Sequence, residues 1–265
     1  MKKIIGYGLL IVFTLIFGFS ISVQAGDNIL IAAASNLRFA MHEICQDFQE
    51  ENSSIHTKVA YGSSGNFFAQ IKQGAPFDIF FSADTKYPEL LEKDGLTAKE
   101  TQKVYAVGKI VLWVPKGSKV DFDKGLQAVI SSRVTKLTIA NPRHAPYGRA
   151  AAESLRYYGL WEKVKGKLIY GENISQTAQF VHTGAADAGI IALSLAISPR
   201  MLNDGKYWEI PDGSYSDIEQ VYVVLKKGEG KKSIRKFLDF IHGERGGKIL
   251  SRYGFVILGA GESRS

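Results

Sequence analysis

Residues 29–48 read Ile29-Leu30-Ile31-Ala32-Ala33-Ala34-Ser35-Asn36-Leu37-Arg38-Phe39-Ala40-Met41-His42-Glu43-Ile44-Cys45-Gln46-Asp47-Phe48. The run Ile29 to Ala33 is short and apolar, as a buried strand is. From Asn36 to Glu50 the residues Leu37, Met41, Ile44 and Phe48 step by four, three and four, which sets them on one face of a helix. Ala40 and Cys45 lie beside that stripe, so Cys45 is expected as a buried thiol. A strand that turns through small residues into an amphipathic helix is the opening of a βαβ unit.

The alternation continues along the chain. Strands are expected at Lys58 to Tyr61, Phe77 to Ala83, Lys109 to Val114, Leu137 to Ala140, Lys167 to Tyr170, Ala188 to Ala192 and Glu219 to Leu225. Helices are expected at Asn66 to Gln73, Tyr87 to Lys93, Arg149 to Tyr158, Ser175 to Thr183 and, as the last, Ser233 to His242. Strands separated by helices predict an α/β fold with mixed, mainly parallel sheets flanked by helices. The runs from Lys109 and from Glu219 are candidates for strands that carry the chain to a second lobe and back.

The first 25 residues read as a removable leader. Lys2 and Lys3 precede an apolar stretch from Ile4 to Phe19, and Val23-Gln24-Ala25 ends on a small residue. Cleavage after Ala25 takes 25 of the 265 residues, leaving 240, and takes two lysines from the formal net charge of +7, leaving +5. The expected organisation is signal peptide 1–25, a discontinuous first lobe of 26–107 and 219–265, and a second lobe of 108–218. With 45% hydrophobic and 22% charged residues, wholesale disorder is excluded. One cysteine cannot form an intrachain disulfide. A charge of +5 is mild for a nucleic-acid binder. The run Lys226, Lys227, Lys231, Lys232, Arg235, Lys236 is expected as the solvated rim of the C-terminal helix.

Candidate chemistry gathers at strand-to-helix turns. Ala33-Ala34-Ser35-Asn36, Gly62-Ser63-Ser64-Gly65, Pro142-Arg143-His144-Ala145-Pro146-Tyr147-Gly148 and Gly171-Glu172-Asn173-Ile174-Ser175 each place small or hydroxyl residues at a helix start. First-turn N–H groups have no partner inside their helix, and the helix dipole adds positive potential there, so such ends hold anions without a formal countercharge. Any one of these turns taken alone is better explained as a helix cap than as a ligand site; their number in one exported α/β chain shifts the balance. Enzyme motifs are absent: Gly62-Ser63-Ser64-Gly65 has the wrong spacing for a nucleophile elbow, and there is no phosphate loop and no paired-histidine metal motif. Asp84 is expected as a helix cap, Asp78 as a structural strand-end residue and His144 as a packing residue of its loop.

These segments, together with Gln70-Ile71-Lys72-Gln73-Gly74-Ala75-Pro76, Asp78-Ile79-Phe80-Phe81-Ser82-Ala83-Asp84 and Arg252-Tyr253-Gly254-Phe255, resemble the periplasmic molybdate-binding proteins of ABC importers. The resemblance spans nearly the whole chain beyond the leader. It implies a two-lobed periplasmic-binding-protein fold (type II) with the ligand in the inter-lobe cleft. The implied ligand is molybdate or tungstate, held as an oxyanion with no side chain on the metal, and no cofactor or catalytic residue is implied. Carried over residue by residue, Ser35 and Ser64 supply hydroxyl and N–H donors, and Tyr147 and Ile174 supply backbone N–H groups. Asn36 is a secondary contributor. Some members complete the cage with a tyrosine on the strand matching Ala188 to Ala192; this chain has Ala192 there, so the hydroxyl falls to Tyr147. The implied setting is a monomer in the periplasm, delivering its ion to a membrane permease without contact to nucleic acid. The competing readings are a binding protein for sulfate, phosphate or ferric complexes, and a secreted hydrolase using Ser63 or Ser64, for which the sequence offers no recognisable partner histidine.

Overall fold

The computed structural model describes residues 27–258, so the expected leader lies outside the described residues. The chain runs through β1 (Asp27–Ala34), α1 (Arg38–Glu51), β2 (Ile55–Gly62), α2 (Ser64–Lys72), β3 (Ile79–Ser82), α3 (Lys86–Lys93) and β4 (Lys103–Gly108). It continues through β5 (Ile110–Pro115), β6 (Leu137–Ala140), α4 (Pro146–Tyr157), α5 (Trp161–Val164), β7 (Leu168–Gly171), α6 (Ile174–His182), β8 (Ala188–Ala192), α7 (Leu193–Ala196) and β9 (Gly205–Glu209). It ends with β10 (Ile218–Val224), α8 (Lys232–His242), α9 (Glu244–Arg252) and β11 (Val256–Ile257). None of the described helices is long and apolar enough to cross a membrane.

Two sheets form the frame. One has the order β11-β4-β10-β3-β1-β2, the other β7-β6-β8-β5-β9. The chain leaves the first sheet at Gly108, enters the second at Ile110, and returns with β10 at Ile218. In the first sheet β1 lies parallel to β2 and β3; in the second β6 lies parallel to β7 and β8. The remaining pairings are antiparallel. The sheets are therefore mixed but less parallel than the βαβ pattern suggests. The reason lies in the crossings: β5 and β10 arrive from the other lobe and run against their new neighbours. The parallel part matters most for function. Ala34 pairs with Gly62, and Ala140 with Gly171, so the carboxyl ends of these strands reach a common edge in each sheet.

Alternation along β1 sorts its side chains between two cores. Ile29, Ile31 and Ala33 meet Leu37, Met41, Ile44 and Phe48 of the α1 segment and Phe237 and Ile241 of α8. Ala32 faces Phe67, Ile71, Phe80 and Leu91 on the opposite side. The expected stripe is thus the core face of α1, and Phe48 packs edge-on against Phe237 at 5.0 Å. Cys45 is buried beside it, and desolvation pushes its thiol up to about 11, which leaves it an unreactive thiol.

Several boundaries differ from the sequence pattern. A 3-10 turn at Ser35–Leu37 delays α1 to Arg38, and α4 begins at Pro146, where proline's missing N–H costs nothing. The helix ending at His242 is not the last, because α9 follows after Gly243. Strands β4, β9 and β11 have no counterpart in the expected order. Within the basic run, Lys231 does more than line a solvated rim: it pairs at 2.9 Å with Asp78, whose carboxylate is fully buried and also accepts from Leu30 N at 2.8 Å. Asp78 is structural, as expected. Phe48→Ala should lower the unfolding free energy by about 3–5 kcal/mol, through lost burial and the cavity left behind. Urea denaturation followed by circular dichroism checks this, with the midpoint falling at constant m value.

Candidate functional site

Where the two sheets meet, Ala34, Ser35, Asn36, Gly62, Ser63, Ser64, Ala83, Ala145, Pro146, Tyr147 and Ile174 line one small cavity of about 10 Å³. All five residues proposed from the sequence line it, and each is at most 4% exposed. Four elements deliver them. The turn after β1 carries Ser35 and Asn36, the start of α2 carries Ser64, and the starts of α4 and α6 carry Tyr147 and Ile174. Tyr147 and Ile174 sit in the first turns of their helices, where N–H groups lack intrahelical acceptors.

The caps explain why these turns hold their shape. Ser63 Oγ accepts from Asn66 N at 3.3 Å at the start of α2, and Asn173 Oδ1 accepts from Gln176 N at 3.0 Å at the start of α6. Ser64 is oriented differently. Its hydroxyl oxygen accepts from Ala83 N at 3.0 Å, which leaves the hydroxyl hydrogen as its remaining donor. Gly148 is required sterically, because a methyl there would strike the carbonyl of Ala140.

The lobes are clasped shut around this cavity. Ser35 Oγ donates to Asn173 Oδ1 at 3.1 Å and accepts from Ser175 N at 3.2 Å. Ser175 Oγ donates back to Ser35 O at 2.9 Å, and Ser194 Oγ donates to Asn36 O at 2.8 Å. Gly65 N donates to His144 O at 2.9 Å, and Asn66 Nδ2 to Glu172 Oε1 at 3.0 Å. Arg149 pairs with Asp84 across the junction, and its guanidinium lies over the Tyr87 ring at 5.7 Å. Asp84 also accepts from Tyr87 N at 3.3 Å in the first turn of α3, although the N-cap position itself is Thr85, and it pairs with Arg149 at the same time.

Two placements depart from the sequence reading. His144 approaches Ser63, with Nδ1 and Oγ 3.0 Å apart, so a serine–histidine contact exists where the sequence offered none. Its setting is that of a clasp. Ser63 Oγ is already occupied as the α2 cap, and among the described residues no carboxylate is hydrogen-bonded to the other ring nitrogen. The Tyr147 hydroxyl, expected as a cage donor, rests against Gly108 at the strand crossing, beside the Asn36 and Gln220 side chains. Ala192, at the alternative tyrosine position, is fully buried and does not line the cavity. Gln220, not singled out by sequence, stands behind the site and accepts from Asn36 Nδ2 at 2.8 Å.

Burial holds the His144 imidazole below its ordinary range, and the nearby Arg143 acts in the same direction, against Glu172. The unfolded chain takes up this proton near pH ~6.5 while the folded chain resists it. Stability is therefore complete above that pH and falls as the solution is acidified through it. His242, lowered by burial and Lys103, adds to the same trend. Urea unfolding between pH 7.5 and 5 should show a shallower loss in His144→Gln than in the parent; parallel slopes would count against this assignment.

The sequence matches the bacterial extracellular solute-binding proteins over residues 29–256. It is 38% identical over 235 residues to the molybdate-binding protein ModA of Azotobacter vinelandii, covering 88% of this chain and 91% of that protein. Identity to ModA of Rhodobacter capsulatus is 36% over 242 residues, or 91% of this chain and 93% of that one. The solved periplasmic molybdate-binding protein of A. vinelandii superposes with a TM-score of 0.81 at 29% identity, covering 87% of this chain and 100% of the other.

Proposed function

The chain belongs to the bacterial extracellular solute-binding protein family, and on that premise we propose that it is exported to the periplasm, captures molybdate and delivers it to the membrane permease of an ABC importer. Tungstate, of the same shape and charge, is a second ligand of the same cage. The observation that carries this reading is the convergence of Ser35, Asn36, Ser64, Tyr147 and Ile174 on one cavity between the lobes. The relatives named molybdate-binding proteins support the choice of ion.

The chemistry suits a dianion that must later be released. Ser64 donates its hydroxyl hydrogen, and the N–H groups of Asn36, Ser64, Tyr147 and Ile174 supply the other donors. Ser35 exchanges its bond to Asn173 for one to an oxyanion oxygen. Tyr147 serves through its backbone N–H. No unpaired cation stands among the residues lining the cavity. Hydrogen bonds to a charged acceptor are worth ~1.5–3 kcal/mol each, so several neutral donors hold the ion firmly while leaving it exchangeable. Sulfate and phosphate carry the same geometry in a smaller ion, and cage size selects against them. The lobes close because the ligand touches both. The role is transport; the Ser63–His144 contact serves closure.

Isothermal titration of the purified protein should give saturable one-to-one binding of molybdate and tungstate, with little heat from sulfate or phosphate. Absence of saturation by either metal oxyanion would remove the reading. Ser64→Ala should weaken molybdate by about 10- to 100-fold, the equivalent of one charge-assisted hydrogen bond. Unchanged affinity in that variant would take Ser64 out of the cage.

A further inference from the structure

Tyr147 is 2% exposed, and the polar groups beside its hydroxyl are the side chains of Asn36 and Gln220. The phenol's surroundings show what it does there. It comes from the second lobe and rests on Gly108, the last residue of β4, where the chain is about to cross between sheets. A methyl on Gly108 would overlap the Tyr147 hydroxyl and come within 3.1 Å of Gln220 Nε2. Gly108 does not have a positive φ, so the crowding rather than the backbone conformation requires glycine.

Gln220 belongs to the other crossing, two residues into β10. Its Nε2 donates to Ile218 O at 2.8 Å, and its Oε1 accepts from Asn36 Nδ2 at 2.8 Å. Asn36 lines the cavity, and its carbonyl accepts from Ser194 of the second lobe. A side chain of one lobe is thus lodged where both crossings leave the other lobe, and hydrogen bonds lead from that spot to the cavity wall.

We propose that Gly108 and Gln220 form a seat for the Tyr147 phenol, making these three positioning residues for ligand retention. The phenol reaches the seat when the lobes are shut, so its fit there sets how long the cleft stays closed. The inference rests on the closing-cleft reading above. Gly108 and Gln220 act on the ligand without touching it, through the rate at which the lobes part.

A double-mutant cycle tests this, read by stopped-flow tryptophan fluorescence. Gly108→Ala in the parent should raise koff by roughly thirtyfold, with kon changed by less than about threefold, because the defect is felt only on closure. In a Tyr147→Phe background the oxygen that the new methyl strikes is gone. There the same substitution should raise koff by less than about fivefold. Equal effects in both backgrounds, or an unchanged koff in Gly108→Ala, overturn the proposal. Ligand-free melting curves establish that each variant folds. Should Gly108→Ala not fold, Gln220→Leu, which strips Asn36 Nδ2 of its acceptor, must show the faster koff at constant kon or the proposal fails. The parent titration separates the two readings. If molybdate does not bind the parent, the proposed ligand is wrong, and the cycle is run with whichever of tungstate, sulfate or phosphate the parent retains.

Discussion

The first-turn N–H groups of a helix need an acceptor, and inside a closed cleft water cannot supply one. That constraint organises this molecule. Parallel strands β1, β2 and β3 in one lobe, and β6, β7 and β8 in the other, end at a shared edge of their sheets. Strands β1, β2, β6 and β7 pass the chain into helix or turn starts that line the junction cavity. Ser63 and Asn173 satisfy some of these donors as caps. The turns that carry Ser35, Tyr147 and Ile174 line one small cavity.

Closure is held by many small contacts rather than by one strong one. The bonds between Ser35 and Asn173, Ser175 and Ser35, Ser194 and Asn36, and Gly65 and His144 are each worth ~0.5–1.5 kcal/mol net, because water offers similar partners once the cleft opens. The Arg149–Asp84 pair keeps a cation near the cleft without aiming it at the ligand. The cores beneath, built on Phe48, Phe237 and Phe80 in one lobe and on Trp113 and Ile139 in the other, do not depend on these bonds. Opening and closing therefore cost little compared with unfolding, as a protein that captures and releases its cargo requires.

Much of this was legible in the chain itself. The stripe Leu37, Met41, Ile44, Phe48 announced α1, because one buried helical face leaves a 3.6-residue period. The serine- and asparagine-rich turns announced helix starts, because capping chemistry is local. Elements with weaker periodicity were missed. Strand β9 is an edge strand with three of its five residues exposed and none buried, and β4 lies in a stretch without helical or alternating signal. The antiparallel share of the sheets was underestimated because it follows from where the chain crosses.

The amino-acid sequence determined the α/β class, the core faces and the donor-bearing turns, all of which depend on residues near one another in the chain. Tertiary structure decided which turns share a cavity, that His144 meets Ser63 across 81 positions, and that Lys231 is the partner of buried Asp78. It also decided that the Tyr147 hydroxyl goes to Gly108 and Gln220 at the crossings. These are meetings of side chains from different lobes. Local pattern carries no record of them, because nothing in a strand's or helix's own period depends on what the facing lobe brings against it.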